Sequence, residues 1–401
     1  MNHMNPTSEL KPVIDNWDKV VRLTHALERY EHMLAGKERV SGDVAFVMSV
    51  ALENIDPEFD IKEGSAITLR AIKEALVAGA KAAWKIIKQI WQFLSAMYIK
   101  FTGSIRRVRR TQEAVTRRLG KLGSKASLQS SMAVAGVQRL SVNGKFVGVD
   151  LSALVDIKDL TNYTLNIYPK SVTQIARNCS RKFLNILETA EDKDRKDVAN
   201  EIVDTFIESY TTSFRAPPGA TAMKKGDMTD ANPSYHRRSE VVAGNAAFVY
   251  MAPEGTEEAL KAGKTDPAFV IGSSFMMAFT ELTMNIADKS EREIEVPSVK
   301  EMTDLTEEIS RILTLAEKAE TGRRDFETVK TVVDDAIRQI MERTDSGETI
   351  PSANLTLQII GEISKKLAEP MDNFTHWLAI TMNVWLTFIN HCIDHYEENG
   401  V

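Results

Sequence analysis

The stretch from Ser65 to Lys121 constrains this chain more than any other. It contains no proline, and Ser65 is placed to cap a helix. Leu69, Ile72, Leu76, Ala80, Ala83, Trp84, Ile87, Trp91, Leu94, Tyr98 and Phe101 recur at spacings of three and four, the period of one helical face. Ile86, Ile90, Phe93 and Met97 widen that face, while Lys81, Lys85, Lys88, Gln92 and Ser95 trace a narrower polar stripe. A helix this apolar needs several neighbours. It fits the core of a helical protein, a contact between subunits, or a helix lying on a membrane surface with Trp and Tyr beneath a lysine-bearing face. Lys85 and Lys88 interrupt the window that a membrane span would need.

The charge changes at the far end. Residues 100–125 carry Lys100, Arg106, Arg107, Arg109, Arg110, Arg117, Arg118, Lys121 and Lys125 against one acid, Glu113. Arginines so clustered suit nucleic-acid phosphates without reading base sequence, and Arg106, Arg107, Arg109, Arg110, Arg117 and Arg118 are the candidate contacts. The bland alternative is a solvated helical face. The formal net charge is −6, and residues 281–401 hold 24 acids against 12 lysines and arginines, so the basic arm is the exception in an acidic chain. Cys179 and Cys392 lack metal-ligand spacing and read as free thiols of a reducing compartment. The N-terminus lacks the order of a secretion signal, which predicts synthesis in a cytoplasm.

Elsewhere the pattern predicts a mainly α fold: a bundle-like architecture of long amphipathic helices with a small mixed α/β insertion. Four regions are expected: 1–63, helical; 64–213, a helical core with the basic arm; 214–298, mixed α/β; and 299–401, a helical bundle. Pro12 opens a first helix and Gly36 closes it; a second occupies 41–55. The acidic, proline-bearing NIDPEFDIKEG at 54–64 is a linker. Asn143-Gly144 between LSV and KFV predicts a hairpin near 140–149 with a type I′ turn. A helical stop is expected at Pro169, and Cys179 shares a buried face with Ile175, Phe183 and Ile186. Strands are expected in 240–251 and 269–284. The last block divides into helices at 303–320, 325–343, 355–367 and 371–398, punctuated by Gly322 and Pro370. Trp377 and Trp385 give the last helix an aromatic face, and with Trp84 and Trp91 they are the expected helix-interface residues.

Chemistry is scarce. His391 and His395 stand one helical turn apart, but HCIDH lacks the acid of a HExxH site and shows no third ligand, so no metal and no cofactor are expected. His236, Arg237 and Arg238 lie in a loop-like stretch. No nucleophile elbow, phosphate loop or dinucleotide fingerprint is present, and no catalytic residue is assigned.

The order of segments resembles the internal head proteins, or prohead core proteins, of large contractile-tailed bacteriophages. The resemblance is carried by LTHALERYEHML, the SVALE end of the second helix, the acidic linker, AIKEALVAGAKAAWKIIKQIWQFL, RRVRRTQEAVTRRLGKLGSKA and the LSVNGKF segment. NFTHWLAITMNVWLTFINHCIDHY matches more loosely near the C-terminus. The resemblance implies a non-enzymatic structural protein packaged in the capsid, with phage DNA, capsid or core proteins and a prohead protease as partners. It also implies trimming after a glutamate two places beyond an aliphatic or small residue. Ile61-Lys62-Glu63 and Ala51-Leu52-Glu53 fit that rule, giving Glu63 and Glu53 as cleavage candidates, whereas Ile72-Lys73-Glu74 is expected to be buried. Cutting at Glu63 removes a segment of net charge −5 and is expected to free the 65–121 helix. Two alternatives stand beside this reading: a membrane-active or ejected virion protein, and an enzyme with a site around His236.

Overall fold

The computed structural model describes residues 9–34, 36–62, 66–123, 130–134, 137–190, 193–223, 237–253, 257–258, 277–282, 292–345 and 350–399. The architecture is mainly α-helical with a few short strands.

Helix α1 (Lys11–Met33) opens with proline in its first turn, where no N–H is required. Helix α2 (Asp43–Glu53) follows the short strand β1 (Arg39–Ser41). Strand β2 (Ala66–Thr68) pairs antiparallel with β1, Val40 opposite Ile67, and so brings together the chain before α2 and the chain after the linker. Helix α3 (Leu69–Leu122) then runs unbroken for 54 residues, about 80 Å at 1.5 Å per residue. Its cap is Thr68, whose Oγ1 accepts from the Ala71 N–H at 3.1 Å. The expected cap, Ser65, lies outside the described residues. The helix passes through Gly120 and ends at Gly123, whose positive φ of 64° supplies the left-handed turn that stops it.

The hairpin is present as β4 (Ser141–Val142) and β5 (Lys145–Phe146), after β3 (Ser131–Val134). Asn143 and Gly144 both take positive φ, as a type I′ turn demands. Helix α4 (Leu151–Asn162) does not stop before Pro169. It passes through one π-helical turn, Tyr163–Ile167, into α5 (Tyr168–Glu188), and the proline falls just after that turn, where the register of the helix shifts. Helix α6 (Arg195–Ser213) is capped by Asp194.

The mixed region contributes a four-stranded antiparallel sheet ordered β6 (Thr221–Ala222), β7 (Arg237–Arg238), β8 (Ala246–Tyr250) and β9 (Met277–Glu281). Every residue of β8 is buried, which explains why its sequence does not alternate. Strand β10 (Arg292–Glu295) pairs with β3.

Two long helices complete the chain, α7 (Val299–Asp345) and α8 (Ile350–Glu398). Both correct the expected division into four: α7 continues through Gly322 and α8 through Pro370. Helix α3 packs along α7 and α8; α4 and α5 cover the other side of α7; α6 lies beyond α5. The main core runs the length of this stack and includes Leu10, just before α1, with Ile14 and Trp17 of α1. A second core joins the far half of α1 (Leu23, Leu27) to α2, β2 and the first turns of α3.

The wide apolar face of α3 is therefore covered by α1, α7 and α8, and it is not left for a membrane. Among the described residues no helix is long and apolar enough to cross one.

Candidate nucleic-acid interface

The last six turns of α3 carry the arginines. Phe101, Ile105, Val108, Val115 and Leu119 are buried and fix the inward direction of the helix. The six candidate arginines then divide by their angle to that direction and by the acceptors that α7 and α8 bring to them.

Arg109 and Arg118 sit on the two flanks beside the core, and each is held within the molecule. The Arg109 guanidinium donates from Nε to Glu317 Oε1 at 3.1 Å and from Nη1 to Ser310 Oγ at 2.8 Å. Its Nη2 reaches Thr314 Oγ1 at 2.9 Å and the Ser310 carbonyl at 3.1 Å. Arg109 is thus clasped by one face of α7. Arg118 is clasped by α8, donating to Asn390 Oδ1 at 2.5 Å, Asp394 Oδ1 at 2.7 Å and Glu397 Oε2 at 2.6 Å. The hydrogen bond to Asp394, with that of Glu397, raises its pKa further.

Arg107, Arg110, Arg117 and Lys121 are exposed on the side away from the core. With Gly103 and Ala114, also exposed, they follow the spacing four, three, four, three, four, which keeps a row in line along a helix. The cations span about 21 Å along the axis at 1.5 Å per residue. Arg107 donates to Ser104 Oγ at 3.2 Å, one turn back on its own helix. Lys121 stands in the last turn, where it also complements the negative end of the helix dipole. Arg106 is exposed on the flank of this row. Lys121 belongs to the basic run read from the sequence but was not among the candidate contacts; its place in the same seven-residue phase was the available signal.

The tryptophans divide as well. Trp91 joins α3 to α8, its Nε1 donating to Ser364 Oγ at 3.0 Å. Trp84 is half-buried, with Lys88 Nζ 3.8 Å from its ring centroid. Trp377 donates to the Ala243 carbonyl at 3.2 Å and meets Phe279 edge-on, while Trp385 donates to the Gly148 carbonyl at 2.8 Å. The last two therefore tie α8 to the sheet and the hairpin.

Of the cleavage candidates, Glu53 ends α2 and is exposed, 3.6 Å from Lys62 Nζ. Glu63 lies outside the described residues, as does His236. His395 Nε2 lies 3.1 Å from Ser130 Oγ. Among the described residues no group of three His, Cys, Asp or Glu side chains is placed to hold a metal ion.

Fold and site together define a class: a mainly helical protein built around one long rod whose end turns a row of cations to solvent. The chain belongs to the phiKZ-like phage internal head proteins, whose family model matches residues 15–391. No curated protein and no solved structure matches it. The chain is accordingly a structural protein of the phage head, located inside the capsid after assembly in the host cell and associated with capsid or core components.

Proposed function

We propose that inside the head this chain packs against the phage DNA through the outward row of α3, and does so without sequence preference. The observation that carries the reading is the division of the arginines. Arg109 and Arg118 are spent on α7 and α8, whereas Arg107, Arg110, Arg117 and Lys121 are aligned on the exposed side. A rigid row of cations neutralises phosphates and releases their counterions, giving affinity that falls steeply with salt.

The test is duplex binding by the full-length protein with Arg107, Arg110, Arg117 and Lys121 all changed to Gln. Losing about four phosphate contacts should reduce the slope of log affinity against log salt by about 3 to 4. An unchanged slope would reject this row as the contact.

We also propose that the prohead protease trims the chain at Glu63 or Glu53. The exposure of Glu53 and the acidic, proline-bearing connection that follows it support a cut in this stretch. N-terminal sequencing of the protein from mature heads decides it; a chain still beginning at residue 1 would exclude trimming.

A further inference from the structure

We propose that the N-terminal segment 9–62 stays bound to the rest of the chain after the connection at 54–65 is cut, so that trimming yields a two-piece protein and not a shortened one. The proposal takes its biological setting from the cleavage reading above, but its physical basis is separate. It also replaces the expectation that a cut at Glu63 frees the 65–121 helix.

The attachment is keyed at one point. Trp17 of α1 is fully buried, and its Nε1 donates to Glu362 Oε1 of α8 at 2.7 Å. Its ring lies over Gly361, where an added Cβ would stand 1.9 Å from the ring's Cη2. Glycine is thus required at 361 for the indole to seat. One residue along, Asp18 receives Lys365 Nζ at 2.8 Å, and Lys365 is a largely buried side chain. Leu10 and Ile14 enter the main core beside Trp17, whereas Leu23 and Leu27 enter the second core against Ile72 and Leu76. Strand β1 lies before the connection and β2 after it, and their three residue pairs do not depend on an intact chain between them. Lys100 pairs with Glu9 at the head of the segment.

A hydrolysed peptide bond in the connection removes none of these contacts. It removes only the covalent tether, which sets the effective concentration of the segment at its site. A segment anchored at both ends of α1 and through a strand pair keeps its place when that tether is lost. After trimming, α3 is still covered along α1, and the exposed row at 107–121 is the same as before the cut.

The experiment uses the full-length chain with a recognition site for an exogenous protease placed between Asp60 and Lys62. After complete cutting, the two pieces should co-elute on gel filtration at about 0.15 M salt, where exposed ion pairs are largely screened. Trp17→Ala should weaken the association by at least about a hundredfold, as expected for removing a buried tryptophan. Gly361→Leu, which blocks the seat from the opposite side, should do the same. Separation of the wild-type pieces, or co-elution that both variants leave unchanged, would overturn the proposal. Because the cut is introduced artificially, a negative result here leaves the phage protease reading to its own test on mature heads.

Discussion

The phenolic hydroxyl of Tyr168 donates to the backbone carbonyl of Lys366 at 2.5 Å, in the interior, across 198 residues of sequence. Lys366 is four residues before Pro370. In an unbroken helix its carbonyl would accept the N–H of residue 370, and proline has none. The α5 tyrosine supplies the missing donor, and α8 continues through the proline for a further 28 residues to Glu398. Tyr168→Phe should therefore cost about 1–3 kcal/mol, the penalty for an unpaired buried carbonyl. In a Pro370→Ala background the helix N–H returns, and the same substitution should cost less. A double-mutant cycle by urea denaturation measures the difference; equal costs in both backgrounds would refute the pairing.

Pro370 also shows what could be read in the sequence and what could not. Gly322 and Pro370 predicted breaks because local propensity is all that a sequence window contains. At Pro370 a tertiary contact carries the helix through, and Tyr168, which makes it, lies far away in sequence. The Asn143-Gly144 hairpin was fully legible because its turn chemistry is local. The arginine cluster was legible as a cluster, but not as two populations. The helical phase could have separated Arg109 from Arg110 and Arg117, but Arg107 and Arg118 stand about three turns apart on nearly the same line of the helix, and only the acceptors on α8 distinguish them. Glu317 comes from a helix whose partner the pattern did not specify; the aromatic faces did pair the last helix with α3, but not the register that brings Asp394 and Glu397 to Arg118. The keyed seat of Trp17 over Gly361 had no local signal at all.

Stability should fall on the acid side through Glu308. Its side chain is 3% exposed, with Lys158 Nζ at 2.5 Å and Arg311 Nη1 at 2.6 Å. Burial pushes its pKa up, but the hydrogen bonds and charges of Lys158 and Arg311 outweigh burial and hold it below the ordinary value. The unfolded chain therefore takes up this proton more readily than the folded one. The stabilisation is complete above the unfolded pKa of about 4.3 and drains away as pH drops through the lower, folded value. Glu308→Gln should cost about 1–3 kcal/mol at neutral pH, and the gap to wild type should close below about pH 4. A gap that is constant with pH would show that the charge of Glu308 contributes nothing.

Thiol chemistry should report unfolding. Cys179 and Cys392 are both fully buried, and burial pushes each thiol up to about 12. The thiolate is the reactive form, so about one thiol in ten thousand would be ionised at pH 8 even with access. Alkylation of the native protein should be slow and should accelerate together across the denaturant transition for both residues. Rapid modification of either thiol in native buffer would contradict its placement.

The clasp and the exposed row make opposite demands on neighbouring arginines, and this separates structure from binding. Arg109 has a side chain 17% exposed and meets Glu317, Ser310 and Thr314 together. Arg109→Gln leaves those acceptors without their donor and should lower stability by about 1–3 kcal/mol. Arg110, one residue on, faces solvent, and Arg110→Gln should change stability by less than about 0.5 kcal/mol. Duplex binding should rank them the other way: well below the melting temperature, Arg109→Gln should bind as wild type does, and Arg110→Gln should lose affinity and flatten the salt slope by about 1. Thermal melts and a salt titration on the two variants check both halves. A stability loss at Arg110, or a binding loss at Arg109 in protein that is still folded, would reverse the assignment of these two side chains.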